Sequence, residues 1–405
     1  MTAVERAAQP LQLSPDEEAR CRAFARGKLW LGLAELAIEV VTLAGLTLTG
    51  ASRALLHLLQ AARIPPPLAV LAYLVAIGGI VWSVQLPCRY LDHYWWERRF
   101  HLARQSALAW LCEWIYGSVL YGLLCLVLLY PVALTLRWWP YLLLPWGALG
   151  AVIQRLYTEY LYYPLLRSFY PVRLLRRETF CLPGIGRVTL PVYEVTVSHR
   201  TARVGASIHL RGKRSAIYVT DTLIAAFDDD EERVAMAHEF GHLWDRLHLE
   251  QQTHAGIRQA ARKAIWACLP LGSALLACLA IEAAAPYLGL GGAGDLAALP
   301  LTIALTLMLA RLGLPLANAE ARRDEVEADA FALRATSDPA SYLSMLQKLR
   351  QMNLDEMTPG PLTQWLFGSH PPYPERALLA LRSRPAPRRT RRGPHRHSGD
   401  PHGPR

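Results

Sequence analysis

Ala237-His238-Glu239-Phe240-Gly241-His242-Leu243-Trp244 carries two histidines four residues apart, with a glutamate beside the first. Positions i and i+4 share one face of a helix, so both imidazoles can converge on a single metal ion. Glu239 is then placed to take a proton from an attacking water and not to bind the metal. This HExxH pattern predicts a zinc site on a helix. The flanking residues agree: Asp228, Asp229 and Asp230 are cap candidates, and acidic residues fill the first turn of a helix read over 228–248. Ahead of it, 191–198, 204–210 and 216–220 are short β-branched runs separated by polar turns, which read as a small sheet.

Two histidines and a water leave room for a third protein ligand. His248 has the spacing of the longer HExxHxxGxxH pattern, but Asp245 stands where that pattern needs glycine, and 243–247 reads as continuing helix. Downstream, Arg322-Arg323-Asp324-Glu325-Val326-Glu327-Ala328-Asp329 lies in a second predicted helix, 320–336. Glu325 and Asp329 are spaced i, i+4 and share a face. Glu325 would complete a His₂Glu site, and Asp329 could hold the outer nitrogen of a ligating histidine. Glu327 as the ligand, or a merely solvated acidic face, stays open on spacing alone.

Around these segments the chain is markedly apolar. Of 405 residues 52% are hydrophobic and only 19% charged, with 12 Trp and 17 Tyr suited to a lipid–water boundary. Six stretches reach the roughly 20 residues a bilayer core requires: 29–49, 67–86, 107–130, 141–163, 264–285 and 296–316. No cleavable signal peptide precedes them, because residues 1–28 are polar and mixed in charge. Arg6, Arg20, Arg22, Arg26 and Lys28 precede the first span, and Arg89, Arg98, Arg99 and Arg104 sit in the second connection. The first connection has Arg53 and Arg63, the third Arg137, and 289–295 none. This bias predicts both termini and 164–263 on the cytoplasmic side of a multi-pass plasma (inner) membrane protein. Seven cysteines without a CxxC pair exclude a disulfide framework and a cysteine zinc site. Glu35, Glu39 and Glu113 lie in or near spans, where they either line a wet chamber or bond helix to helix.

HEFGH followed downstream by RRDEVEADAFAL (322–333) resembles the M48 metallopeptidases, whose pattern is HExxH then ExxxD. The likeness is to the Ste24 type, the integral-membrane CAAX prenyl proteases and their bacterial relatives. It extends to ERRFHLARQS (97–106), PLLRSFYPV (164–172), IYVTDTLI (217–224) and SHPPYPER (369–376). The resemblance implies Glu325 as third ligand, with Asp329 bonded behind the ligands and Glu239 as general base and then proton donor. It makes His370 a candidate donor to the developing oxyanion, beside the plain reading of a histidine at a helix start. Arg322 either orients the site or pairs with Glu325 or Asp329. The family's Asn-Ala beside the site is replaced by Gly205-Ala206, the candidate substrate-binding pair here, and the serine before Arg322 by Ala321.

The expected fold is mainly α and integral to the membrane, with about six transmembrane helices and a cytoplasmic gluzincin-type peptidase domain holding a small β-sheet. Its parts are a cytoplasmic segment (1–28), four spans (29–163), the sheet and HExxH helix (164–263), a membrane hairpin (264–318), a part with the third ligand and HPP motif (319–384), and a disordered basic tail (385–405). One Zn²⁺ per chain, a membrane-associated peptide or protein substrate and the lipid bilayer are the expected partners, with no nucleic acid. The function implied is zinc-dependent endopeptidase cleavage. An HtpX-like quality-control protease and a non-catalytic scaffold are the alternatives.

Overall fold

The structure, a computed structural model, describes residues 11–157, 170–210, 215–251 and 253–383, with side chains described except over 248–268. The tail 385–405, residues 164–169, the last residues of the 141–163 stretch and the side chain of His248 lie outside the described residues.

Helix α1 (Pro15–Leu48) begins well before the first apolar stretch. Ser14 Oγ accepts from the Glu17 N–H at 3.3 Å and Glu17 Oε2 accepts from the Ser14 N–H at 3.0 Å, a reciprocal cap with Pro15 at the first helical position. No break therefore separates residues 15–28 from the first span. A short helix, α2 (Ala51–Ala61), follows in the first connection. Next come α3 (Pro66–Tyr90), extended by a π-helical stretch Leu91–Trp96 and Glu97–Arg99, then α4 (Ala107–Leu134) and α5 (Trp139–Leu156). Strands β1 (Val172–Leu182), β2 (Gly186–Val195), β3 (Ala206–His209) and β4 (Ala216–Thr220) lead through α6 (Asp221–Ala226) into α7 (Asp229–Gln251). The remainder is α8 (Thr253–Leu288), α9 (Leu299–Arg311), α10 (Leu314–Thr336), α11 (Pro339–Asn353), α12 (Pro361–Leu366) and α13 (Tyr373–Arg382).

Among the described residues four helices are long and apolar enough to cross a membrane: Pro15–Leu48, Pro66–Arg99, Ala107–Leu134 and Leu269–Leu288. The pair Leu296–Arg311 and Leu314–Thr336, bent by 40°, makes a fifth if counted as one span. The bend splits the expected 296–316 stretch, so α10 starts at Leu314, before the Glu320 read from sequence. The expected stretch 141–163 is occupied by α5 as far as the described residues reach. Leu108, Val127, Leu144 and Tyr287 point outward and are exposed, which suits lipid and not water. The carboxylates near the spans are paired: Glu35 to Arg89 at 2.7 Å and Glu39 to Arg311 at 4.0 Å join helix to helix, and Glu113 meets Arg200, in the turn after β2, at 2.8 Å. The described cysteines are free.

The sheet order is β1-β2-β4-β3. β1 and β2 form an antiparallel hairpin, β2 pairs parallel with β4, and β3 is antiparallel to β4 at the edge. β1 was not expected from sequence, because Arg173, Arg176 and Arg177 interrupt its apolar pattern. Val192, Ile217 and Val219 of the sheet share a buried core with Met236 and Phe240 of α7, Phe331 of α10 and Tyr342 and Leu346 of α11. Leu11 is sealed into the same core, and the buried guanidinium of Arg350 donates to its carbonyl at 2.7 Å and pairs with Glu18. The head of α1 is thus fastened to the peptidase part. Helices α7 and α10 pack together although α8 and α9 separate them in sequence.

Candidate metal centre and active site

Helix α7 starts at a cap built from its own sequence. Asp228 Oδ1 accepts from the N–H groups of Asp230 and Glu231 at 3.1 and 2.9 Å, and Glu231 Oε2 returns to the Asp228 N–H at 2.9 Å. The helix then runs past Asp245 to Gln251 without the turn that the His248 alternative requires. Gly241, inside HExxH, faces α10. A Cβ there would lie 2.7 Å from Ala328 Cα and 3.0 Å from its carbonyl oxygen, so only glycine lets the two helices approach this closely.

That approach brings three side chains together. His238 Nε2 is 3.3 Å from Glu325 Oε2 and His242 Nε2 is 3.5 Å from Glu325 Oε1. One ligand atom from each lies within 4.8 Å of the others. Glu327 is not in this group. On its far side, His238 Nδ1 meets Asp329 Oδ1 at 2.9 Å. Asp329 is buried, and burial disfavours its charge. Arg376 outweighs that, donating from Nε and Nη2 at 2.7 Å each, so the carboxyl is held well below its usual range. An ionised carboxylate only accepts, which makes Nδ1 the donor and leaves Nε2 facing Glu325 to carry a proton or bind a metal ion.

Glu325 Oε2 is buried, and although His238 Nε2 and His370 Nε2 are each 3.3 Å away it has no hydrogen-bond partner. Converging acceptors of this kind must share a cation, either a proton or a metal ion. The local field says the same. Burial opposes charging His238, yet Asp329 and Glu325 push it up to about 10, while burial and the charge on His238 push His242 down to about 4. The donor set, two imidazoles and one carboxylate, fits a divalent metal such as zinc.

Glu239 is nine-tenths buried beside this centre. Burial first, and then the charge of Glu325, raise its carboxyl to about 7, against the opposing pull of His238. A group that changes charge near neutrality can accept a proton and return it.

Two cavities meet here, and His238, Glu239, Ala206 and His370 line both. The larger, about 760 Å³, runs toward Phe24, Lys28 and Gly32 of α1 and toward Asp92 and His93 of the π-helical stretch. The smaller, about 510 Å³, opens past Ser207, Ile208 and Asp324. Gly205 stands at the cavity wall, but its N–H donates to Thr220 Oγ1 at 3.1 Å and its carbonyl accepts the Thr220 N–H at 3.0 Å. Both of its main-chain groups are therefore committed to the protein. Ala206 begins the edge strand, opposite Val219. Arg322 pairs with neither Glu325 nor Asp329. It donates instead to the carbonyls of Gly368 and Gln364 at 2.6 and 3.3 Å. Arg376, the actual partner of Asp329, had no signal in the sequence beyond its place in SHPPYPER.

The description "Peptidase family M48" matches residues 181–384, and "CAAX prenyl protease N-terminal, five membrane helices" matches residues 6–166. The chain is similar to the uncharacterized metalloprotease YhfN of Bacillus subtilis (strain 168), with 24% identity over 388 residues, covering 93% of this chain and 88% of that protein. The fold is similar to that in the crystal structure of S. mikatae Ste24p, with a TM-score of 0.69 and 17% identity over 91% of this chain and 90% of that one. A multi-pass membrane architecture, a metal-competent His-His-Glu cluster and a matching description over both halves agree: the chain belongs to peptidase family M48 and is a membrane metalloprotease.

Proposed function

We propose that this chain is a zinc-dependent endopeptidase that cleaves membrane-associated peptide chains on the cytoplasmic side of the membrane. His238, His242 and Glu325 would hold one zinc ion, and the observation that carries this is the convergence of their ligand atoms with His238 Nδ1 bonded back to Asp329. Bound there, zinc would polarise the scissile carbonyl and bring the pKa of an attacking water to roughly 7.

The residues do the rest. Glu239 takes the proton of the attacking water and passes it to the leaving nitrogen. Edge strand β3 offers main-chain pairing to an extended substrate along one wall of the site. His370, which lines the same cavities and lies 3.3 Å from Glu325 Oε2, is the candidate donor to the developing oxyanion. Cavities on both sides of Glu239 leave room for chain before and after the scissile bond, which favours endopeptidase action over removal of a terminal residue. The larger cavity reaches α1 and the π-helical stretch, which favours a substrate held at the membrane. The charge bias of the connections supports the cytoplasmic side.

The test is metal analysis of the full chain in detergent, with and without chelator, paired with Glu239→Gln. One zinc per chain, cleavage lost on chelation and restored by zinc, and a zinc-loaded but inactive Glu239→Gln protein are expected. A variant with normal turnover would remove the mechanism.

A further inference from the structure

Arg322 lies one turn before Glu325 on α10, so the helix that carries the candidate third ligand also carries a cation next to it. Its hydrogen bonds go to main-chain carbonyls. Nη1 donates to Gly368 O at 2.6 Å and to Gln364 O at 3.3 Å, and Gln364 O, in the last turn of α12, also accepts the Gly368 N–H at 3.2 Å. Asn318, one turn earlier on the same helix, donates to Trp365 O at 3.0 Å. The loop that follows α12 is closed by further bonds. Gln364 Nε2 donates to His370 O at 3.0 Å, and Ser369 Oγ and His370 Nδ1 are 3.1 Å apart. Gly368 is needed for this closure, since a Cβ there would lie 2.7 Å from Gln364 O and 2.6 Å from its Oε1.

The loop ends on His370, whose Nε2 is 3.3 Å from Glu325 Oε2. The His370 side chain is 60% exposed, so packing does not hold the imidazole and its position depends on the loop. We infer that Arg322 is a positioning residue: by clamping the carbonyls of Gln364 and Gly368 to α10 it fixes His370 against the metal centre. This rests on the peptidase reading for its effect on turnover, but not for the clamp. Lysine would supply a point charge and not the planar fork, so Arg322→Lys restores only part of the hold.

The experiment uses the full chain in lipid nanodiscs, as wild type, Arg322→Gln, Arg322→Lys, Gly368→Ala, His370→Ala and the double variant Arg322→Gln/His370→Ala. Amide hydrogen exchange over 366–370 and zinc content are measured beside cleavage of one internally quenched decapeptide chosen from a mixed library. Arg322→Gln and Gly368→Ala should each speed exchange of that loop about tenfold, with zinc content unchanged. Their kcat should fall at least about tenfold with KM nearly constant, whereas adding Arg322→Gln to His370→Ala should cost less than about threefold more. Unchanged loop exchange in Arg322→Gln overturns the clamp whatever the activity. Faster exchange with full, multiplicative losses in the double variant overturns the route through His370. A wild-type chain that cleaves nothing defeats the peptidase reading, and exchange then decides the clamp alone.

Discussion

Replacing Gly241 by alanine adds one methyl group at the crossing of α7 and α10. The new Cβ would lie 2.7 Å from Ala328 Cα, 3.0 Å from its oxygen and 3.1 Å from its Cβ, where ordinary contact begins at 3.4 Å. Two of these are main-chain atoms that no rotamer can move, so the helices must part by at least about 0.7 Å, the difference between 3.4 and 2.7 Å. Overpacking of this kind costs about 1–3 kcal/mol. Ala328 neighbours Asp329 and lies one turn from Glu325, so both carboxylates move with α10. Metal sites tolerate about 0.2 Å in ligand distance, and disturbing the groups that orient ligands costs on the order of 10–100-fold in affinity. Gly241→Ala should therefore lower the thermal midpoint and weaken zinc by that factor, read by equilibration against a zinc-buffering chelator. Gly205→Ala, where an added Cβ meets nothing within 4 Å, is the control and should change neither. A Gly241→Ala protein with wild-type melting and zinc affinity would refute the close approach as the reason for glycine.

Glu325→Ala should lose most of its zinc and all cleavage, while Glu327→Ala keeps both by the same metal analysis. Arg376→Met removes the guanidinium from the buried Asp329 carboxylate, leaving it His238 Nδ1, and should cost about 3–5 kcal/mol in denaturation midpoints converted to free energy. Adding Asp329→Leu should recover part of that loss. In zinc-free protein the depressed Asp329 carboxyl adds stability that is fully present above its unfolded value near 3.9 and is lost as pH falls below it. Acid unfolding followed by circular dichroism should accordingly steepen below about pH 4, and Asp329→Asn should flatten that limb. Reporter fusions in the loop 289–294 should be active only outside the cell, and fusions at the C-terminus only inside.

The metal cluster was legible because its geometry is local. His238 with His242, and Glu325 with Asp329, each obey the i, i+4 rule within one helix, and only the meeting of the two helices had to be supplied. Gly241 was visible but uninterpreted, since its reason is the Ala328 main chain across the crossing. Arg376 was illegible: it reaches Asp329 from 47 residues away, and an arginine ending PYPER reads as a surface charge. Strand β1 was hidden because Arg173, Arg176 and Arg177 break the apolar alternation that marks strands. The early start of α1 is written in Ser14-Pro15-Asp16-Glu17, a capping box that hydropathy, which marks only the apolar stretch from 29, does not register. The bonds from Thr220 to both main-chain groups of the candidate Gly205 were equally invisible, because nothing in the spacing of the two residues announces them.

The separation of α7 from α10 by the α8–α9 hairpin has a consequence for biosynthesis. When the ribosome has made His238 and His242, the carboxylate that faces them is still some 83 residues from synthesis. At about 5–20 residues per second that is a delay of roughly 4–17 s, during which the nascent chain carries a half-formed centre. Those intervening residues include the candidate span Leu269–Leu288, which is made before α10 can return to α7. The fastening of Leu11 by Arg350 comes later still, joining the first described residue to one of the last helices made. Full assembly of the cleft is thereby tied to a nearly finished chain, and one that stops short of α10 has no means of bringing Glu325 to the two histidines.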